Sequence, residues 1–104
     1  MAFLQKDLAL TELFDIYGEL LTPRQRELFA SYYVYDLSLA EIAEPEGKTR
    51  QNVYEQVKKV KQKLTEYEAI LKIKQKNDKL YAVAQSLEKT DAKLGQAIKD
   101  IIGG

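Results

Sequence analysis

The residues best placed to do chemistry follow Gly47, in the stretch KTRQNVYEQVKKVKQKL. With Val53 at zero on a wheel of about 100° per residue, Gln51, Lys58 and Gln62 fall within about 40° of the opposite pole. Arg50, Tyr54 and Lys61 lie on one flank of that pole, and Asn52 and Lys59 on the other. Amide and cationic side chains presented together suit a nucleic-acid surface. Glutamine can contact adenine through two hydrogen bonds, arginine or lysine can meet guanine or phosphate, and a helix start capped by Thr49 can face a phosphate. Glu55 points to the same pole, where it repels phosphate unless it accepts from the cytosine amino group. The competing reading is a solvated helix face, with the two-helix shape used for packing alone.

The opposite side of the same helix is dry. Val53, Val57, Val60, Leu64, Tyr67 and Leu71 are spaced four and three alternately, a heptad pattern. Val53 and Val57 would clamp the helix to a preceding short one. Val60, Leu64, Tyr67 and Leu71 then have two possible occupants: the chain's own first helix and C-terminal segment, or a second protomer. A homodimer is the expectation, because a chain of 104 residues has a modest core.

The elements that must hold these residues all read as helices. A first helix over about residues 4–17 carries Leu4, Leu8, Phe14 and Tyr17 near one stripe, with Gly18 as its left-handed stop. Thr22, Pro23 and Gln25 open a second helix with a capping box, and Leu28, Phe29, Tyr32 and Tyr33 form its buried face. Ser38 and Glu41 repeat the box for a short third helix, with Leu39, Ile42 and Ala43 inward. Pro45 disfavours helical geometry at Glu44 and stops that helix. Thr49 caps the fourth helix, which meets no breaker before Asn77 and so extends about 25 residues, or about 37 Å. Beyond it, Leu80, Val83, Ala84 and Leu87 form one stripe. Leu94, Ala97, Ile98 and Ile101 form another, after a cap at Thr90. The expected organisation is all-α: a helix-turn-helix domain over 1–76 and a C-terminal helical extension over 77–104.

Short helices joined by a tight turn make demands that these residues meet. Ala43 is small where the helices cross, and Gly47 tolerates a positive φ. Glu46 and Lys48 replace the apolar side chains such turns bury, which implies a wetter, looser turn.

Charge divides the chain. Residues 1–47 hold nine acidic and three basic side chains, whereas residues 48–76 hold nine basic and three acidic. The step places a polyanion-facing segment beside an acidic one. Cysteine and histidine are both absent, which removes disulfides, thiol catalysis, thiolate metal sites and the usual general base near neutral pH. Carboxylates such as Glu41 and Glu44 sit without a partner chemistry, and no glycine-rich phosphate loop occurs. No enzyme, metal or cofactor is expected. MAFLQKDLAL lacks the pattern of a signal peptide, and no apolar run suits a membrane span, so a cytoplasmic location is expected.

The segments LTPRQRELFASYYVYDLSLAEIA and GKTRQNVYEQVKKVKQKLTEYE resemble the YlxM family of small bacterial helix-turn-helix proteins and, more distantly, the DNA-binding region 4 of sigma factors. The resemblance covers roughly residues 8–76. It departs at Glu46 and Lys48, where the family carries Phe and Val or Ile, and at Asn52, where it carries a small residue. It implies a sigma region 4-like fold and a DNA-reader's architecture. Because the family's genes tend to lie beside those of the signal recognition particle, it also implies an accessory or regulatory place in that pathway. The function expected is therefore a nucleic-acid-binding regulator of DNA or structured RNA, with Thr49, Arg50, Gln51, Asn52, Tyr54, Lys58, Lys59, Lys61 and Gln62 as its contacts. The alternative is an adaptor that docks its acidic N-terminal half on the particle's protein or receptor.

Overall fold

The structure, a computed structural model, describes residues 8–103. These form α1 (Leu8–Tyr17), α2 (Pro23–Phe29), α3 (Leu39–Ala43), α4 (Arg50–Leu71), α5 (Ile73–Glu88) and α6 (Ala92–Gly103), with no strand among them. The chain divides into two compact units at the Ile70–Leu71 bond.

Local sequence sets most helix starts in the first unit. The Thr22 hydroxyl accepts from Gln25 N at 3.1 Å and the Gln25 side chain accepts from Thr22 N at 3.0 Å. Ser38 and Glu41 repeat this reciprocal pair at 3.1 and 3.0 Å. Each box satisfies two backbone donors that a helix start would otherwise leave open. After Phe29 the helix widens into a π turn over Ala30–Val34. It closes where Asp36 takes φ 56°, a left-handed conformation that aspartate tolerates better than most residues.

Two apolar clusters divide the faces of α4. Val53 and Val57 pack with Leu28, Ile42 and Ala43, while Val60 and Leu64 pack with Leu10, Leu13, Tyr17, Leu21 and Phe29. Val60 and Leu64 of the heptad seam are therefore covered by the chain itself. Tyr67 is partly buried against the same cluster, with its ring 6.0 Å from that of Tyr17. Tyr17 also donates to Glu68 at 2.7 Å, tying α1 to the far part of α4. Leu71 stays exposed.

Several expectations are corrected. The inward stripe of α1 is Leu10, Leu13 and Tyr17, with Leu8 78 % exposed; Leu4 lies outside the described residues. Gly18 does not have a positive φ; it begins a 3-10 turn, Gly18–Leu20. Its lack of a side chain instead spares the Phe14 ring, 3.3 Å from where a Cβ would sit. Pro45 does not expel Glu44 from helical geometry. Glu44 has φ −57° and ψ −50°, and Pro45 enters the first turn of a 3-10 segment, Glu44–Glu46, where its missing N–H costs nothing. The fourth helix ends at Leu71, not near Asn77, because Lys72 adopts φ 54° and α5 starts anew.

The second unit is a helical hairpin. Its turn is closed by Thr90 N to Leu87 O at 3.0 Å and Asp91 N to Leu87 O at 2.8 Å. The cap of α6 is Asp91 rather than Thr90: its carboxylate accepts from Leu94 N at 3.0 Å, and the Thr90 hydroxyl turns back to Leu87 O. Ala84 and Gly95 are its buried residues, and Leu80, Val83, Leu94 and Ile101 of the two expected stripes are exposed.

Candidate nucleic-acid interface

The unit that presents the candidate contacts is α3, the turn through Gly47, and the first half of α4. Gly47 has φ 65° and ψ 26°. Lys48 N donates to Ala43 O at 3.0 Å and Gly47 N to Glu44 O at 3.1 Å, the paired bonds of a Schellman close. A side chain at this φ would be strained, so glycine is needed here for its backbone.

The turn is polar, as expected, but it is not loose. Arg24 at the start of α2 grips Glu46 with both terminal nitrogens, at 2.8 and 2.5 Å, and Lys48 approaches the same carboxylate at 3.5 Å. The fork geometry fixes direction as well as distance. Arg24 holds the Glu46 carboxyl below the usual carboxylate range, first through the hydrogen bond and then through its charge. An ionic clamp occupies the place of the apolar plug. The sequence alone does not signal Arg24, because the pair is 22 residues apart.

Thr49 caps α4, its hydroxyl accepting from Asn52 N at 3.0 Å. Beyond it Arg50, Gln51, Asn52, Tyr54, Lys58, Lys59, Lys61 and Gln62 are all exposed, while Val53 and Val57 face the core. The two amides at the start are engaged along the helix: Gln51 donates to Glu55 at 2.9 Å, and Gln56 donates to Asn52 at 2.6 Å. Such exposed i, i+4 pairs are worth about 0.2–0.5 kcal/mol. A bidentate base contact contributes about 1–3 kcal/mol to discrimination, so a ligand would outcompete them. Glu55 is thus engaged by Gln51.

Beside this face lies a concavity of about 310 Å³, bounded by Tyr32, Tyr33, Tyr54, Lys58, Lys61 and Gln62. Tyr32 and Tyr33 were read from sequence as packing residues. They lie in the π turn Ala30–Val34, and their place beside α4 depends on contacts between residues far apart in sequence. Among the described residues no group of His, Cys, Asp and Glu could hold a metal ion, and no helix is long and apolar enough to cross a membrane.

A family model described as helix-turn-helix protein, YlxM / p13 like, matches residues 4–102. The chain is similar to a UPF0122 protein of Symbiobacterium thermophilum, 52 % identical over 54 residues, which cover 52 % of this chain and 50 % of that protein. It is also similar to a UPF0122 protein of Clostridium kluyveri, 50 % identical over 56 residues (54 % and 50 % of the two chains). A third relative, from Halalkalibacterium halodurans, is 44 % identical over 63 residues (61 % and 58 %). The chain thus spans about half the length of the first relatives it matches.

Proposed function

The chain belongs to the YlxM/p13-like family of helix-turn-helix proteins, and from that premise we propose that it is a non-enzymatic regulator that binds nucleic acid through the outer face of α4. One observation carries the reading. The amide and cationic side chains from Arg50 to Gln62 stand exposed on the side of α4 opposite the buried Val53 and Val57. Phosphate contacts by Lys58, Lys59 and Lys61 would supply affinity, and Arg50, Gln51 and Asn52 at the capped end would meet base edges.

Titration of a labelled duplex DNA and a structured RNA over a range of salt concentrations tests this. Each neutralised phosphate releases counterions, so affinity should fall steeply and linearly on a log–log plot. Replacing Arg50 and Lys58 together with alanine should weaken binding and flatten the slope by about one, the share of the Lys58 phosphate contact. Absence of binding at low salt refutes the reading.

Two finer elements belong to the proposal. The place beside the signal recognition particle rests on the family resemblance. Recovery of the particle's protein or its receptor with a tagged copy supports it, and recovery of neither removes it. The homodimer keeps a motive in the second unit, where Leu71, Ile73, Leu80 and Val83 are exposed. Light scattering at tens of micromolar should give twice the chain mass of 11.9 kDa; a single-chain mass ends the dimer.

A further inference from the structure

We infer that the concavity beside α4 is a pocket for one unpaired nucleobase, with its neighbouring phosphate held at the rim. This rests on the nucleic-acid reading above and deepens it: the preferred target is a paired stem interrupted by a nucleotide that has left the stack. Tyr54, Lys58 and Lys61 are spaced i, i+4, i+7, so they share one side of α4 and meet Tyr32 and Tyr33 of the π turn Ala30–Val34 across the hollow.

The wall on the side of the π turn is held in place from behind. Tyr33 stacks on the buried Phe29 at 4.6 Å between ring centroids, and Tyr32 stands edge-on to Tyr33 at 5.0 Å and 88°. The wall on the α4 side is Tyr54, a residue 48 % exposed, leaving area for a ligand to cover. At about 310 Å³ the hollow is at the small end of ligand pockets, about 300–1,000 Å³, which suits a single base rather than a larger group.

Charge and polarity match the same occupant. The lining contains two ammonium groups, Lys58 and Lys61, and no carboxylate, while the Gln62 amide offers both donors and an acceptor for a base edge. A base inside a duplex shows only its edges and cannot enter between rings; a bulged or looped base can, and aromatic stacking is how single-stranded positions are held.

Four hairpins test the assignment: one with a single 2-aminopurine bulge and one fully paired, each made as RNA and as DNA. At 50 mM salt the bulged form should bind about tenfold more tightly than the paired form, the size of one stacked base, and the 2-aminopurine emission should be quenched on binding. Whichever sugar shows the larger preference identifies the source of the base. Tyr54→Ala should abolish the preference and the quenching, so that the variant binds the bulged and the paired hairpin equally, and Tyr54→Phe should retain both. Equal affinity for bulged and paired hairpins overturns the pocket and leaves the nucleic-acid reading standing. So does a preference that survives Tyr54→Ala. Failure of all four hairpins to bind brings down both.

Discussion

The two compact units hold themselves together by different means. The first unit closes over large side chains: Tyr17, Phe29, Val53, Val60 and Leu64 are almost wholly shielded. Stacked rings connect its two clusters, with Phe14 on Phe29 at 4.3 Å and Phe29 on Tyr33 at 4.6 Å. The hairpin of the second unit instead lets backbones approach. Its shielded residues are Ala84 and Gly95, and most of its large apolar side chains remain outside. Lys99 adds a polar tie across it, 3.0 Å from Glu88 and 4.8 Å from the centre of the Tyr81 ring. A candidate interface must hold its side chains in fixed directions, and the unit with the interlocked core is the one that carries it.

The largest effect should follow from removing the buried ring stacked between Phe14 and Tyr33. Phe29→Ala should cost about 3–5 kcal/mol, enough to unfold much of the first unit, read as a shift in urea midpoint. A shift below about 1 kcal/mol would mean that the two clusters are not joined through this ring. Gly95→Leu should act on the other unit. A Cβ there would lie 2.7 Å from Ala84 O and 2.9 Å from Glu88 N, backbone atoms that cannot swing aside as the Glu88 side chain can. Overpacking of this kind costs about 1–3 kcal/mol. Hydrogen exchange should accelerate over residues 73–103 and stay unchanged over residues 8–70; acceleration in both would show that the units fold as one.

The smallest effects should separate the units by pH. Hydrogen bonds from the Ser38 backbone and then its side chain lower the Glu41 pKa, as Arg24 lowers that of Glu46. A carboxylate whose folded pKa is depressed contributes fully above its unfolded value, and that contribution fades as pH falls through the folded one. Acid should therefore weaken the first unit, with Glu46→Gln flattening the decline. Lys99 behaves oppositely. The Glu88 hydrogen bond raises its pKa, so its contribution is complete at neutral pH and fades as pH rises through the raised value. Alkali should loosen the hairpin first, followed by hydrogen exchange over residues 73–103. Ser38→Ala, which removes one cap, should cost about 1 kcal/mol without moving the alkaline limb.

What was legible in the sequence was what short range decides. The boxes at Thr22 and Ser38, the cap at Thr49 and the left-handed Gly47 each depend on residues within a few positions of one another. So does the side of α4 that faces outward, because a period of 3.6 assigns it once Val53 and Val57 are inside. Misreadings also arose locally where two residues could serve. Thr90 and Asp91 compete for one cap, and the Asp91 carboxylate takes it while the Thr90 hydroxyl donates to Leu87 O.

Only the tertiary structure decided the rest, because it joined groups that are distant in sequence. The valine and leucine seam was open to a second chain or to this one, and α1 covers Val60 and Leu64 through Leu10, Leu13 and Tyr17. The break at Lys72 has no breaker residue to announce it, although a lysine in this left-handed geometry costs about 1–2 kcal/mol. The Arg24–Glu46 clamp and the tyrosine-walled hollow likewise exist only once α2 has been laid against the turn and against α4. Composition and periodicity specify faces; which faces meet is settled by the surface each contact removes from water.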